Sequence, residues 1–207
     1  MPTERFNQLS KAKQQRILRA AEAEFQASCA EKFSMTRIAR NASVSRASLY
    51  TYFVDREDIY FYSLAQVGRN MREDNMRHLD ENGGDVWEML AWSMENQLAS
   101  CRRSLLYRMR YLPGQWRTSI PADRGDVFQE GQKEYEKWIY ENCSNPELRQ
   151  LGERRFITLL EACHALITVC LQESLLMGGE FRTGRDRFRE KLDDIKSLVC
   201  GVETIWK

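Results

Sequence analysis

The chain has 207 residues, enough for one small module plus a larger domain with its own core. Four prolines, eleven glycines and little period-two alternation weigh against a β-rich fold and predict an all-α one, of about nine helices in two domains. Six cysteines without paired spacing fit reduced thiols rather than a disulfide framework, and a net charge of +1 alone argues nothing about nucleic acid.

Residues 1–10 read as a short, partly disordered arm, with Lys11 and Lys13 able to brush a phosphate or simply be solvated. A first helix is expected over Lys11–Ser28, its face marked by Ile17, Leu18, Ala21 and Phe25. Ser34 can cap a helix of about two turns carrying Met35, Ile38 and Ala39 on one face. Asn41 to Ser45 favour a turn, and Ser45 can cap a second short helix through Arg46, Ala47, Ser48, Leu49 and Tyr50. Helix, turn and helix make the unit whose second helix enters the major groove of DNA. Ala39 allows a close crossing, and Val44 and Leu49 pin the pair to a shared core. Ser34, Thr36, Arg37, Ser45, Arg46, Ser48, Tyr50, Thr51, Tyr52 and Arg56 then offer hydroxyl and guanidinium donors for phosphates and base edges. Divided at Glu57, the N-terminal part has 10 Lys+Arg against 6 Asp+Glu and the remainder 21 against 24, so the basic excess lies with this motif.

From Arg16 to about Tyr62 the chain resembles the DNA-binding domain of tetracycline-repressor-like (TetR family) regulators. The resemblance is carried by RILRAAEAEF at 16–25, SMTRIA at 34–39, ASVS at 42–45 and SLYTYF at 48–53 followed by Arg56-Glu57, with spacing that matches without gaps. It implies that the third helix, from Arg46 to Tyr52, reads DNA and that Arg56, opening the next helix, grips a phosphate. Arg46 is a candidate for a guanine or a phosphate; of Tyr50 and Tyr52 one should touch phosphate and one should pack, with Tyr52 favoured as the contact. Where the family usually has glycines, this chain has Cys29 and Ser43; a positive φ kept at Ser43 would cost roughly 1 kcal/mol relative to glycine.

Asp55 caps a long connecting helix with Phe61, Leu64, Ala65, Gly68, Met71 and Leu79 at helical spacing. Glu81 to Asp85 break it, and Asp85 caps a helix through Val86, Trp87, Leu90, Met94, Leu98 and Cys101, followed by Leu105 to Leu112 and a stop at Pro113-Gly114. A polar loop at 117–125 precedes a helix with Val127, Phe128, Gly131, Tyr135, Trp138 and Ile139. Asn145 and Pro146 begin a long helix expected to reach Met177, and Gly178-Gly179 stop it. The last helix, about Arg185 to Trp206, spaces its apolar residues by four and three like a seam.

By resemblance these two C-terminal helices form a homodimer interface, for which Leu166, Cys170, Phe188, Leu192, Ile195, Val199, Val202 and Trp206 are the candidates; intramolecular packing is the alternative. Trp87, Trp92, Met94, Tyr107, Met109, Tyr111 and Phe128 suit a pocket for a bulky, partly apolar effector or equally a plain core, and His164 could be a polar handle or a satisfied buried histidine. Cys163, Cys170 and Cys200 could sense thiol chemistry, with small apolar seam residues as the simpler reading. No metal, cofactor or catalytic residue is expected: two histidines lack ligand spacing, and G-x-S-x-G, P-loop, H-E-x-x-H and G-x-G-x-x-G are absent. The Phe156–Met177 run is broken by Glu161, His164, Gln172 and Glu173, so no membrane span is expected and the protein is read as soluble and cytoplasmic. The expected function is thus a dimeric, ligand-responsive DNA-binding regulator, with residues 1–57 reading DNA and 58–207 binding ligand and partner subunit. The rivals are a DNA-binding dimer without a small-molecule effector, tuned by a protein or by thiols, and a helical enzyme or scaffold that does not bind DNA.

Overall fold

A computed structural model describes residues 2–28, 33–111, 131–176 and 181–201. It is all-α, with eleven helices among the described residues: α1 Glu4–Asn7, α2 Lys11–Ala27, α3 Met35–Asn41, α4 Arg46–Tyr52, α5 Arg56–Glu81, α6 Val86–Arg103, α7 Leu105–Tyr111, α8 Gln132–Asn142, α9 Pro146–Gln150, α10 Glu153–Leu176 and α11 Phe181–Gly201. They pack as two compact units. The first comprises Met1–Gly68 with the described part of Cys101–Phe128, and the second comprises Arg69–Ser100 with the described part of Gln129–Lys207. Helices α5 and α6 therefore each contribute to both.

In the first unit, the buried faces of α2 and α3 carry Ile17, Ala21, Phe25, Ile38 and Ala39. Phe25 meets Phe33 and Tyr60 edge-on at 4.7 and 5.4 Å between ring centres. Helix α7 closes onto α2, where the Ser104 hydroxyl donates to Glu22 Oε1 at 2.5 Å. Tyr107, Met109 and Tyr111 belong to this unit, with Tyr111 buried.

The turn between α3 and α4 has a defined shape. Ser43 N–H donates to the Arg40 carbonyl and Val44 N–H to the Ala39 carbonyl, so the last carbonyls of α3 are satisfied and Ser43 stands in the left-handed region at φ 52°. The serine keeps the conformation for which glycine is suited. Ser43→Gly is accordingly expected to stabilise the fold by up to about 1 kcal/mol, seen as a rise in the thermal midpoint; an unchanged or lower midpoint would remove the strain argument.

The arm at residues 1–10 is a correction: residues 2–10 are folded. Phe6 is fully buried and Gln14 donates to the carbonyls of Phe6, Asn7 and Leu9, so apolar burial and hydrogen bonding together offset the ordering of the segment. The long helix expected from Pro146 to Met177 is also corrected. It is two helices, because Gly152 adopts φ 75° and separates α9 from α10.

In the second unit α10 crosses α11 closely, and Phe156, Leu160, Cys163, Ile167, Cys170 and Leu171 form its buried stripe. By length and composition α10 could cross a membrane, but this stripe packs within the protein. The starts of α6 and α9 are stapled together: Asn145 accepts from Val86 N–H at 2.8 Å and donates to Asp85 at 3.1 Å, while the Trp87 indole donates to Glu147 at 2.8 Å. The expected N-cap Asn145 thus spends its side chain on α6 rather than on its own helix. The expected starts at Val127 and Phe128, the stop at Pro113-Gly114 and the last turn at Val202 and Trp206 lie outside the described residues.

Candidate functional site

Helix α4 is short, so its orientation depends on how its ends are held. At the start, the Ser45 hydroxyl accepts from Ser48 N–H at 2.9 Å and lies 2.8 Å from the Ser48 hydroxyl. Leu49, Tyr52 and Phe53 turn inward. Arg46, Ala47, Tyr50 and Thr51 are left on an exposed face, with the Arg46 guanidinium 5.6 Å above the Tyr50 ring. A face of one arginine, one tyrosine and hydroxyls, one helix wide, has the donors that base edges and phosphates require.

The tyrosines reverse the expected preference. Tyr50 is 41% exposed, whereas Tyr52 is 9% exposed and its ring centre lies 6.3 Å from that of Phe6. The arm that sequence reading left unfolded is what covers it.

Arg37 departs further from its expected role. Its Nε donates to both oxygens of the buried Glu24 at 2.9 Å, and its Nη2 donates to Glu24 Oε1 at 2.6 Å and to the Ser28 hydroxyl. Glu24 also accepts from Ser34 N–H at 2.8 Å. The Arg37 bonds hold the Glu24 carboxyl below its ordinary pKa. A buried carboxylate requires such a partner, so Arg37 braces α3 on α2. Ser34 caps α3, Thr36 is exposed, and Arg56 opens α5 with its guanidinium 5.6 Å from the Phe33 ring. Sequence reading missed Arg16, whose Nε donates to the Ala42 carbonyl at 2.9 Å and fixes the turn from below.

The effector candidates separate by unit. Tyr107, Met109 and Tyr111 lie in the first; Trp87, Trp92, Met94 and His164 lie in the second; Phe128 falls outside the described residues. Met94 is core. Trp92 stacks on His78 at 4.2 Å with rings 7° apart, and His78 Nε2 is 2.7 Å from Glu88. Trp87 lines an apolar hollow with Val86, Leu90, Leu148, Phe156, Leu159, Leu160 and Cys163, whose free volume is about 10 Å³. That is about the room of one water molecule, whereas pockets for drug-sized ligands run to roughly 300–1,000 Å³, so the hollow is packed core rather than a preformed ligand site.

His164 has a partner the sequence did not reveal. Its Nε2 is 3.3 Å from the Tyr135 hydroxyl, which accepts from Asn75 at 3.0 Å. Desolvation lowers the half-buried imidazole to about 4, so it is neutral at pH 7. Its folded pKa lies below its ordinary value of 6.5, so the folded state binds fewer protons than the unfolded chain between those limits. Stability is then unaffected above 6.5 and falls as pH drops from 6.5 to 4, by up to about 3 kcal/mol. His164→Gln should remove that part of the acid loss in urea titrations at each pH; identical pH profiles for both proteins would refute it.

Of the dimer candidates, Cys170, Phe188 and Leu192 are a correction. They are buried between α10 and α11 of a single protomer and have no surface left for a second one. Leu166, Ile195 and Val199 are partly exposed; Val202 and Trp206 lie outside the described residues. Val169, Leu176 and Leu198, at 44, 63 and 70% exposure, are apolar residues on these two helices that the seam pattern did not single out. Burial raises the thiols of Cys101 and Cys163 to about 12 and about 11, and pushes up those of Cys143 and Cys170 as well. Protonated, buried thiols make poor sensors. Among the described residues no three His, Cys, Asp or Glu side chains gather as a metal site.

A capped α3, a fixed turn and an α4 with an exposed polar face define a helix-turn-helix DNA-binding protein. Residues 17–62 match the family model of bacterial regulatory proteins, tetR family. No curated protein matches the chain by sequence. Among solved structures, the chain is similar to the regulator FadR from Bacillus subtilis in complex with stearoyl-CoA, at 14% identity and TM-score 0.62, covering 90% of this chain and 98% of that one. It is also similar to the fatty acid degradation regulator FadR from Bacillus halodurans, at 13% identity and TM-score 0.61, covering 89% and 96%. A third is Thermus thermophilus FadR, a TetR family repressor in complex with lauroyl-CoA, at 23% identity and TM-score 0.55, covering 90% and 92%. At these identities the likeness is one of fold.

Proposed function

We propose that the protein is a cytoplasmic homodimeric repressor that reads a double-stranded operator with α4 and is released from it by a small, partly apolar effector. The observation that carries the reading is the exposed Arg46, Tyr50 and Thr51 face on a helix fixed at both ends. DNA contacts lie within residues 1–57: Arg46 and Tyr50 on bases or phosphate, Ser45, Ser48, Thr51 and Thr36 on the backbone, Arg56 on a phosphate. Effector and subunit contacts lie within 58–207. The exposed apolar residues of α10 and α11 support pairing of two copies, which places two reading heads one helical turn apart and multiplies affinity.

For the effector, the Asn75, Tyr135 and His164 chain supplies neutral donors and acceptors inside a helical unit, suited to orienting a ligand whose remainder is apolar. An effector that prefers the conformation with wrongly spaced heads shifts the population away from DNA; coupling of about 1–3 kcal/mol changes affinity roughly 5- to 150-fold. Helix α5, which contributes to both units, is the element proposed to carry the coupling.

Fluorescence anisotropy on the DNA upstream of the protein's own gene and on a genomic fragment pool, across a salt series, tests the DNA half. A thermal-shift screen that includes long-chain acyl thioesters, followed by release from the bound fragment, tests the effector half. Failure to bind any fragment at low salt removes the regulator reading. DNA binding with no stabilising small molecule leaves the dimer without an effector.

A further inference from the structure

Residues 2–14 make a set of contacts that converge on one place, the C-terminal end of α4. Pro2 pairs in an isolated antiparallel bridge with Phe53. Thr3 N–H donates to the Tyr52 carbonyl at 2.9 Å and the Thr3 hydroxyl donates to the Thr51 carbonyl at 2.6 Å. Those two carbonyls belong to the last turn of α4, where a helix has no acceptors' partners of its own. Phe6, fully buried, places its ring 6.3 Å from Tyr52, 4.9 Å from Phe53 and 5.5 Å from Tyr62. Gln14 locks the segment from α2: its Nε2 donates to the carbonyls of Phe6, Asn7 and Leu9, each at 3.1 Å.

We infer that this N-terminal clamp is a positioning element for DNA reading, with Thr3, Phe6 and Gln14 fixing the pose in which α4 presents Tyr50 and Thr51. The inference rests on α4 being the reading helix. A seven-residue helix has too few internal bonds to hold its own last turn, and Thr51 lies on the exposed face while its carbonyl is held by Thr3. Loosening the clamp frees that turn. Contacts made by the first turn and by phosphate-gripping residues elsewhere survive, so discrimination between sequences falls more than general affinity.

The test uses the full chain carrying Thr3→Val, Thr3→Ser, Phe6→Ala or Gln14→Ala. Anisotropy is measured on the genomic fragment that wild type binds tightest and on a scrambled fragment at the same salt, with hydrogen exchange over residues 46–54. Thr3→Val keeps the shape and loses the hydroxyl; Thr3→Ser keeps the hydroxyl and should retain wild-type discrimination. Expected is about a tenfold loss on the tight fragment for Phe6→Ala and a several-fold loss for Thr3→Val and Gln14→Ala, with less than about a twofold change on scrambled DNA and faster exchange late in α4. A ratio of tight to scrambled affinity that stays at the wild-type value in all variants, whatever their thermal midpoints, overturns the clamp. Wild type that distinguishes no fragment from scrambled DNA overturns the reading of α4 itself, and the clamp with it.

Discussion

Arg46→Ala is expected to weaken operator binding by about 5- to 150-fold for each half-site, the effect of losing a bidentate arginine contact worth roughly 1–3 kcal/mol. Arg46 opens α4, is exposed, and leans over Tyr50, so the guanidinium and the ring present one surface. In a dimer the loss occurs twice. The salt series separates the two roles open to this side chain. A guanine contact predicts relaxed specificity at one base position with the salt slope unchanged; a phosphate contact predicts uniform weakening and a slope smaller by about one per subunit. Arg46→Lys keeps the charge and loses the planar fork, so it should rescue the phosphate case and fail to rescue the guanine case. The fold should be untouched, because the side chain is exposed and leans over Tyr50 on the same exposed face. If Arg46→Ala binds as wild type does, α4 is not reading DNA through its first turn.

The same helix illustrates how far the sequence leads. Capping chemistry is local, so Ser34, Ser45, Asp55 and Asp85 could be placed by inspection, and each accepts the backbone bonds expected of it. The strain at Ser43 was legible only through the family resemblance, in which a glycine usually stands at that place and marks a left-handed residue. What escaped were pairings between residues distant in the chain. Arg37 looks like a DNA donor until Glu24 is found buried beneath it. Tyr52 looks like the phosphate contact until Phe6 covers its ring, and Phe6 looks like part of a loose arm until Gln14 is found holding the carbonyls around it. Phe188 and Leu192 have the spacing of an intersubunit seam, yet an apolar stripe on a helix is blind to which helix will cover it; here the cover is α10 of the same chain. Gly152 could have been read as the break between α9 and α10, since it follows an apolar residue at the end of a short helical turn, but helical periodicity resumed so soon after it that the interruption was hidden.

Gly184→Ala is expected to destabilise the second unit strongly. Gly184 sits in α11 where that helix crosses α10, and a Cβ built there would overlap the Ser174 hydroxyl and the Cys170 carbonyl oxygen. The hydroxyl is not free to swing away without cost, because it donates to that same carbonyl at 2.8 Å. The carbonyl is backbone, so the helices themselves must separate. Overpacking of this kind costs about 1–3 kcal/mol, against which alanine returns at most about 1 kcal/mol of helix propensity. Separation also loosens Phe188 and Leu192, the side chains that fill the crossing, so the upper end of the range applies. A thermal midpoint several degrees below wild type is the expected reading, at roughly 2–4 °C per kcal/mol for a chain of this length. Gly201→Ala is the matched control: it lies on the same helix with nothing among the described residues within 4 Å of an added Cβ, and should be neutral or mildly stabilising. Because α10 and α11 also carry the exposed Val169, Leu176 and Leu198, Gly184→Ala should weaken self-association in sedimentation experiments as well. Equal midpoints for Gly184→Ala and wild type would mean that the two helices do not cross as closely as their packing requires.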